Sequence, residues 1–368
     1  FLVKLLNIPQ KLIFFLRSNL VTSRNLALRK KTLRLQKKML KKILCAALSV
    51  MLILPFGAIG ANAADGDYTI VSPYEDVIWE GENAWGAYKG TLHSHTTYSD
   101  ADDTLPVMVK EAYRQDYDFL AIADHGITGV DWDQAPAIQL LYTYQLLIDN
   151  PYEHLTTEEY EDIKNGTYEN RGKIMVPVLG ANELNYIALT KNHVNGFFCG
   201  YGQGILGQEE DYETVIAGTH AAGGITFINH PGDFIAANKE NGRAEDYNQL
   251  KIFIDPLMKY DSCVGIEIFN LRDTTDRADR ILWDTILQYT IPQGKVVWGF
   301  ANDDSHALDD IDVTRDIMLM PALSNEDLRT AMENGTFFAC SRYARYEMGY
   351  ACAVSVVLLV IIWVNGGK

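Results

Sequence analysis

The stretch TLHSHTTYSD, residues 91–100, decides how this 368-residue chain is interpreted, because it sets two histidines and an aspartate close together. One residue separates His93 from His95, so in an extended strand both side chains point to the same face. Asp100 follows in the same segment and brings a carboxylate within reach of the two imidazoles. Imidazole and carboxylate ligands together suit Zn, Mn or Fe ions. The stretch therefore predicts part of a metal centre.

Further clusters of acidic residues and histidines follow along the chain. They are Asp124-His125, Ala181-Asn182-Glu183, Asn192-His193, Asn229-His230-Pro231-Gly232 and Asp303-Asp304-Ser305-His306. One such cluster could arise by chance, whereas this succession indicates a centre with more than one ion. A carboxylate such as Glu183 can bridge two ions through its two oxygens, and ions clamped in this way favour hydrolysis of a phosphoester.

Hydrophobic periodicity predicts strands that alternate with helices. The strands are expected at 88–93, 119–123, 174–179, 193–198, 225–229, 264–269, 296–300 and 317–320, and the helices at 105–115, 135–149, 157–165, 212–222, 277–289 and 325–333. Nearly every candidate ligand lies at or just after the C-terminal end of a strand. Because a βα barrel gathers its strand ends on one face, this order favours a barrel over a single open sheet.

The net charge of −16 is distributed unevenly. Residues 1–63 hold twelve of the 32 basic residues and no acidic one, so the remainder carries 20 basic against 48 acidic residues, a net charge of −28. Such an acidic body repels phosphate backbones, and we therefore expect no nucleic-acid polymer as a partner.

The N-terminal region has the pattern of a targeting segment. A basic Met39-Leu40-Lys41-Lys42 precedes an apolar run over 43–56, and Ala61-Asn62-Ala63 matches a small-x-small cleavage site. We therefore expect 39–63 to be a signal peptide, 1–38 to be a non-native upstream extension, and the protein to be secreted, periplasmic or at the cell surface. An uncleaved membrane anchor is the alternative.

The C-terminal segment 341–368 is the second unusual region. Residues 351–364, ACAVSVVLLVIIWV, are continuously apolar but shorter than the roughly 18 residues expected of a membrane span. Strands of a truncated module and a short membrane anchor both remain open. A membrane partner is therefore expected only if this run or the signal is retained. The residues between the two unusual segments, 64–340, are expected to form the metal-binding catalytic domain.

The full order of motifs resembles one known family. H-x-H followed by S-D, then D-H-G, G-x-x-E, a strand histidine, N-H-P-G and D-x-H is similar to the PHP (polymerase and histidinol phosphatase) family over roughly residues 88–340. The resemblance implies an α/β fold, a distorted (β/α)7 TIM-like barrel with its metal site at the C-terminal ends of the strands. It also implies a trinuclear centre that hydrolyses phosphoesters.

The same resemblance implies a ligand set for each ion. By position, the first ion would be held by His93, His95, Glu183 and Asp304, the second by Glu183, His193 and His230, and the third by Asp100, His125 and His306.

We therefore expect an exported metal-dependent phosphoesterase with up to three divalent ions (Zn, Mn or Fe) and a small phosphorylated substrate, either a phosphomonoester or a phosphodiester. A metal-bound hydroxide held by Glu183 and Asp304 would attack phosphorus. Asp124 would orient His125, and Arg272 or Arg342 would contact the phosphate. Two alternatives stay open: an amidohydrolase-like enzyme acting on C–N bonds, although no bridging lysine is evident, and a non-catalytic secreted metal- or ligand-binding module.

Overall fold

Two five-stranded sheets form the framework of the chain. The computed structural model describes residues 72–139, 148–185, 192–205, 211–232, 247–271 and 276–342. Within these residues the strands are β1 (Gly86–Thr91), β2 (Phe119–Leu120), β3 (Val176–Pro177), β4 (Asn182–Leu184), β5 (Val194–Phe197), β6 (Ile225–Ile228), β7 (Cys263–Asn270), β8 (Trp298–Asn302), β9 (Thr314–Met320) and β10 (Phe337–Ser341). One sheet has the order β10-β9-β1-β2-β3 and the other β4-β5-β6-β7-β8.

Helices lie between many of these strands. They are α1 (Leu105–Arg114), α2 (Thr157–Asn165), α3 (Glu213–Ala221), α4 (Tyr247–Lys259), α5 (Asp276–Thr290) and α6 (Asn325–Asn334), with short 3-10 turns at Tyr168–Asn170, Ile291–Gln293 and Leu308–Asp310. The helix predicted at 157–165 coincides with α2, which begins at a capping box of Thr156 and Glu159 and ends at Gly166 in a left-handed conformation.

The predicted α/β class is confirmed, but the sheets are mixed. Strand β1 pairs in parallel with β2, β2 with β3, β6 with β7 and β7 with β8, whereas β1–β9, β9–β10, β4–β5 and β5–β6 are antiparallel. Only residues 185–193 separate β4 from β5, fewer than the dozen or so that a parallel crossover requires. A single closed (β/α)7 barrel is not formed by these ladders and stays a prediction.

Backbone hydrogen bonds join the two sheets beyond the ends of their strands. His95 N donates to Ser305 O at 2.9 Å and Asp304 N donates to His93 O at 2.9 Å, which links the continuation of β1 to that of β8. Glu183 N donates to Ala123 O at 3.0 Å, which links the continuation of β2 to β4. These links bring the predicted ligand segments of both sheets together.

Three apolar clusters support this arrangement. One contains strand residues from both sheets, with Phe227 stacked on Phe300 at a centroid distance of 4.6 Å. The second packs α3, α4 and α5 against β6 and β7, and the third packs α1 and Trp132 around Tyr98. Burial of large side chains on both faces of the sheets therefore holds the strand ends in place.

Several predictions made for other segments have different outcomes. The sequence did not predict β4, β10 or α4. Other predicted features lie outside the described residues. They are the segments 1–38 and 39–63, residues 343–368 of the C-terminal segment, most of the helix expected at 135–149, and Arg272. In the part of the chain that the structure describes, no helix is both long and apolar enough to cross a membrane.

Candidate metal centre

The predicted ligands come from both sheets and meet beyond the ends of the strands. His93 and His95 follow β1, His125 follows β2, Glu183 is in β4, His193 precedes β5, His230 follows β6, and Asp304 and His306 follow β8. His93, His95 and Glu183 have side-chain exposures of 0%, 0% and 2%. Fully buried polar groups need partners, so the contacts of these side chains show what the site is built for.

The first group consists of His93, His95, Glu183 and Asp304, whose ligand atoms all lie within 4.8 Å of one another. His93 Nε2 is 3.1 Å from His95 Nε2, 3.3 Å from Glu183 Oε2 and 3.2 Å from Asp304 Oδ1. His95 Nε2 is 3.2 Å from Glu183 Oε2 and 3.3 Å from Asp304 Oδ1. The four atoms thus converge on one point.

Glu183 divides its two oxygens between two sets of histidines. Oε2 faces His93, His95 and, at 3.4 Å, His125 Nε2. Oε1 lies 3.0 Å from His193 Nδ1 and 3.2 Å from His230 Nε2, and these three residues form a second group. A carboxylate placed in this way can bridge two ions, as the sequence predicted for Glu183.

The third group differs in one member from the set implied by the resemblance. His95, Asp100 and His306 form the compact set, with His95 Nδ1 and His306 Nε2 each 3.6 Å from Asp100 Oδ1. The His95 and His306 rings also stack, at a centroid distance of 4.4 Å. His125 remains close, with Nε2 at 3.4 Å from Asp100 Oδ2.

The histidines and carboxylates of the site shift one another's pKa values. Burial lowers the pKa of His93, but the Asp304 and Glu183 carboxylates outweigh it and raise that pKa well above its ordinary value. Burial would raise the pKa of Glu183, yet the surrounding histidines hold it well below its usual range. Burial prevails at His125, whose pKa is lowered. The histidines likewise hold the pKa of Asp304 well below its usual range, so both carboxylates favour the ionised form that binds a metal.

Asp124 holds the loop that carries Asp100. Its Oδ1 accepts hydrogen bonds from Thr96 N at 2.8 Å and Ser99 Oγ at 2.5 Å, and its Oδ2 accepts one from Thr96 Oγ1 at 2.6 Å. Ser99 Oγ lies 3.2 Å from Asp100 Oδ1. Asp124 thus fixes the turn between His95 and Asp100, and its predicted role at His125 stays a prediction.

Two buried side chains that the sequence analysis did not assign also contact the ligands. Asn229 Nδ2 donates to Glu183 Oε1 at 2.7 Å. Glu267, in the middle of β7, lies 2.9 Å through Oε1 from His93 Nδ1. The available signal was one acidic residue within CVGIEIFN, a strand that is buried along its whole length. A charge in such a strand requires a partner.

Arg342 has a partner in the structure. Its guanidinium contacts the Asp312 carboxylate, to which Lys89 and Arg315 are also paired. Half of the Arg342 side chain is exposed. Contact of Arg342 with a phosphate stays a prediction, as does the role of Arg272.

The residues present fit a divalent ion. Asp304 Oδ1 is buried and, among the described residues, accepts no hydrogen bond of acceptable geometry. Four ligands at about 2.0–2.1 Å from one ion in a tetrahedron lie about 3.3 Å apart, which matches the spacing of 3.1–3.3 Å between His93, His95 and their carboxylate partners. Asp304 also has a φ of 44°, a backbone conformation that is retained at a cost of about 1–3 kcal/mol. The buried His, Glu and Asp cluster is therefore suited to metal binding.

No protein-family model matches the sequence, and no curated protein matches it significantly. Among solved structures, a two-domain protein from Bacteroides vulgatus that contains a predicted PHP-like metal-dependent phosphoesterase is 16% identical, with a TM-score of 0.45. The similarity covers 70% of this chain and 65% of that protein, so the chain spans less than two thirds of its length.

Two enzymes of other kinds also resemble the chain. The lesion-specific endonuclease EndoQ from Pyrococcus furiosus is 13% identical, with a TM-score of 0.40, covering 69% of this chain and 58% of that one. An amidohydrolase from Chromobacterium violaceum is 13% identical, with a TM-score of 0.36, covering 68% of this chain and 97% of that one.

The expected exclusion of nucleic-acid polymers was wrong. A structure of Endonuclease Q in complex with a 27-mer duplex that carries an abasic lesion at the active site is among those similar to this chain, with a TM-score of 0.40 and 12% identity over 67% of this chain and 57% of that one. Net charge describes the whole surface, whereas bound cations dominate the local field of a metal site. The acidic composition therefore does not exclude a nucleic-acid partner.

The solved structures that resemble this chain do include PHP-like metal-dependent phosphoesterases, as its sequence motifs predicted.

Proposed function

We propose that the chain is a metal-dependent phosphoesterase that hydrolyses a phosphomonoester or a phosphodiester. The observation that carries the proposal is the convergence of His93, His95, Glu183 and Asp304 on one point, with a second group of ligands on the other oxygen of Glu183. Such adjacent groups are the arrangement required to clamp a phosphoryl group between ions.

Some residues of the centre are almost fully buried, and others are partly exposed to solvent. His93, His95 and Glu183 are almost fully buried, whereas the Asp100 and His306 side chains are 18% and 36% exposed. We infer that a phosphoester approaches from the side of Asp100 and His306. His93, His95 and Glu183 lie on the opposite, buried side, where the surrounding protein excludes water and keeps these ligands in a fixed orientation.

Up to three divalent ions, of Zn, Mn or Fe, would be held by these residues. The first would be bound by His93, His95, Glu183 and Asp304, the second by Glu183, His193 and His230, and the third by Asp100 and His306 with His95 or His125. When bound, the ions would polarise the phosphoryl oxygens and make water a better nucleophile near neutral pH. Glu183 and Asp304 would balance the charge of the ions, and Asp124 would keep Asp100 in position.

The test is hydrolysis of an aryl phosphomonoester, a diaryl phosphodiester and duplex DNA by the purified protein, with metal content measured on the same sample. We expect turnover of at least one phosphoester, loss of turnover with a chelator, and loss on His95→Ala. His220→Ala is the matched control, because His220 is exposed and bonds to Ser262 Oγ at 2.9 Å. Activity that survives both chelation and His95→Ala would falsify the proposal. Turnover of amides alone would favour the C–N hydrolase instead.

We also propose that the protein is exported. The support is the basic, apolar and small-x-small order of residues 39–63. Expression of the full chain in a bacterial host should yield a processed protein whose first residue is Ala64. Processing at another position, or none, would contradict this.

A further inference from the structure

We propose that Glu267 is a positioning residue that fixes which ring nitrogen His93 presents to an ion. The inference rests on the proposed metal centre, but it does not depend on which substrate the centre acts on. Glu267 is fully buried in the middle of β7, between Ile266 and Ile268, which pack in the apolar core. Successive side chains of a strand point to opposite faces, so Glu267 lies on the other face, where a buried carboxylate requires polar partners.

The contact with His93 sets the tautomer of the imidazole. Glu267 Oε1 lies 2.9 Å from His93 Nδ1. An ionised carboxylate only accepts hydrogen bonds, so Nδ1 must carry the proton and donate it. In the neutral imidazole that binds an ion, the lone pair of His93 is then on Nε2, the atom that faces His95, Glu183 and Asp304. A histidine held in this way is more basic and better oriented as a metal ligand.

Further donors hold Glu267 in place. His230 N and Asn270 Nδ2 each donate to Oε2 at 2.9 Å, and Asn302 Nδ2 donates to Oε1 at 2.9 Å. Together with His93 Nδ1, these groups give each oxygen two partners. All of these neighbours are nitrogen groups that donate, so both Glu267 oxygens act as acceptors in this network.

The same hydrogen bonds connect Glu267 to ligands of more than one group. His230, whose backbone it holds, belongs to the second group of ligands. Asn270 Nδ2 also donates to Asp304 Oδ2 at 3.2 Å, so the amide links Glu267 to a ligand of the first group. Loss of the carboxylate should therefore weaken ion binding at both groups.

Asp316 provides a matched control. It has a fully buried carboxyl group in β9, and its Oδ1 accepts a hydrogen bond from Ala301 N at 3.1 Å. Ala301 is not a candidate ligand. Glu267→Gln and Asp316→Asn each replace one buried carboxyl group by an amide of nearly the same volume, so a general effect of that replacement would appear in both.

The experiment measures Zn²⁺ affinity by chelator competition for the wild type, Glu267→Gln and Asp316→Asn, with thermal unfolding of each. We expect Glu267→Gln to bind Zn²⁺ about 10–100-fold more weakly, and Asp316→Asn to bind like the wild type. Wild-type affinity in folded Glu267→Gln overturns the inference, and so does an equal loss in both variants.

A second measurement needs no variant and holds even if Glu267→Gln does not fold. In a crystal structure of the zinc-loaded wild type, His93 should ligate through Nε2 and keep Nδ1 at Glu267. Ligation through Nδ1 overturns the inference. If the protein binds zinc but turns over no phosphoester, the proposed function fails and the role of Glu267 stands. If the protein turns over a phosphoester and Glu267→Gln keeps the wild-type Zn²⁺ affinity, the proposed function stands and the role of Glu267 fails.

Discussion

Asp303 and Asp304 are neighbours in the chain and both are buried, yet their surroundings differ completely. Asp303 Oδ1 accepts hydrogen bonds from Val313 N and Thr314 N at 2.9 Å, and its Oδ2 accepts one from Asp312 N at 2.9 Å and another from the Tyr117 hydroxyl. Asp304 Oδ1 accepts none of acceptable geometry from the described residues and faces the Nε2 atoms of two imidazoles instead.

The difference separates a structural carboxylate from a ligand carboxylate. Backbone N–H groups satisfy the oxygens of Asp303 fully, so that this side chain shapes the turn before β9. Asp304 is held in an unfavourable backbone conformation, with φ 44°, and no described backbone N–H donates to its Oδ1. Burial alone therefore does not identify a site residue, whereas the kind of atom that faces a buried oxygen does.

The largest effect is expected for Asp304→Asn. Replacement of an anionic ligand oxygen by a neutral amide should lower kcat/KM for a phosphoester by more than the roughly 10–100-fold typical of groups that only orient a ligand. Initial rates and metal content, measured on the same preparation, check this. If Asp304→Asn keeps wild-type metal content and activity, Asp304 is not a ligand and the contrast with Asp303 fails.

Asp303→Asn should act on stability instead. One oxygen that accepts from backbone N–H groups becomes an NH₂ group, which leaves buried donors facing each other. We expect the free energy of unfolding to fall by about 1–3 kcal/mol, measured by urea denaturation in the presence of a chelator. The folded fraction should still bind metal. Unchanged stability together with lost metal binding would reverse the roles assigned to the two aspartates.

Asp316 extends the comparison to a buried carboxyl group with few donors. Burial raises its pKa well above the ordinary value, and the hydrogen bond from Ala301 N offsets this only in part. The folded protein therefore keeps a proton that the unfolded chain releases near pH 3.9. The contribution of Asp316 to the free energy of unfolding is therefore fully present below that pH. As the pH rises toward the pKa of the folded state, this contribution falls by at most about 1.4 kcal/mol per pH unit.

Asp316→Asn removes this dependence. The stability of the variant relative to the wild type should rise by up to about 1.4 kcal/mol between pH 5 and pH 6. Urea denaturation of both proteins at each pH, with metal removed, measures the change. Parallel pH profiles for the two proteins would show that Asp316 is ionised in the folded state.

The comparison also shows what the sequence could predict. The ligand segments were predictable because histidines and acids are rare at the ends of apolar strands, and α2 because its capping residues are adjacent in sequence. Helix α4 was missed because it contains Pro256, which normally interrupts a helical pattern. Strand β4 was missed because Leu184 is the only apolar residue among its three, which leaves no apolar run to detect.

The partners of the ligands were not predictable in the same way. Glu267 and His93 are 174 residues apart, and their contact exists only because β7 and the continuation of β1 come together in the fold. The approach of His95 to Asp100 and His306 likewise depends on the tertiary structure, which stacks the His95 and His306 rings. Residue type and strand position predict candidates, whereas grouping them requires the tertiary structure.

The smallest effect is expected for Arg342→Ala, which tests the predicted phosphate contact. The guanidinium is half exposed and already paired with Asp312, next to the turn that Asp303 holds. Because Lys89 and Arg315 also neutralise Asp312, loss of Arg342 should lower the free energy of unfolding by no more than about 1 kcal/mol. KM for an aryl phosphate should stay within about twofold of the wild type, since a loss of about 0.4 kcal/mol corresponds to that factor. A tenfold rise in KM with unchanged stability would instead assign Arg342 to the substrate, and would show that its pairing with Asp312 is exchanged for a phosphate when the substrate binds.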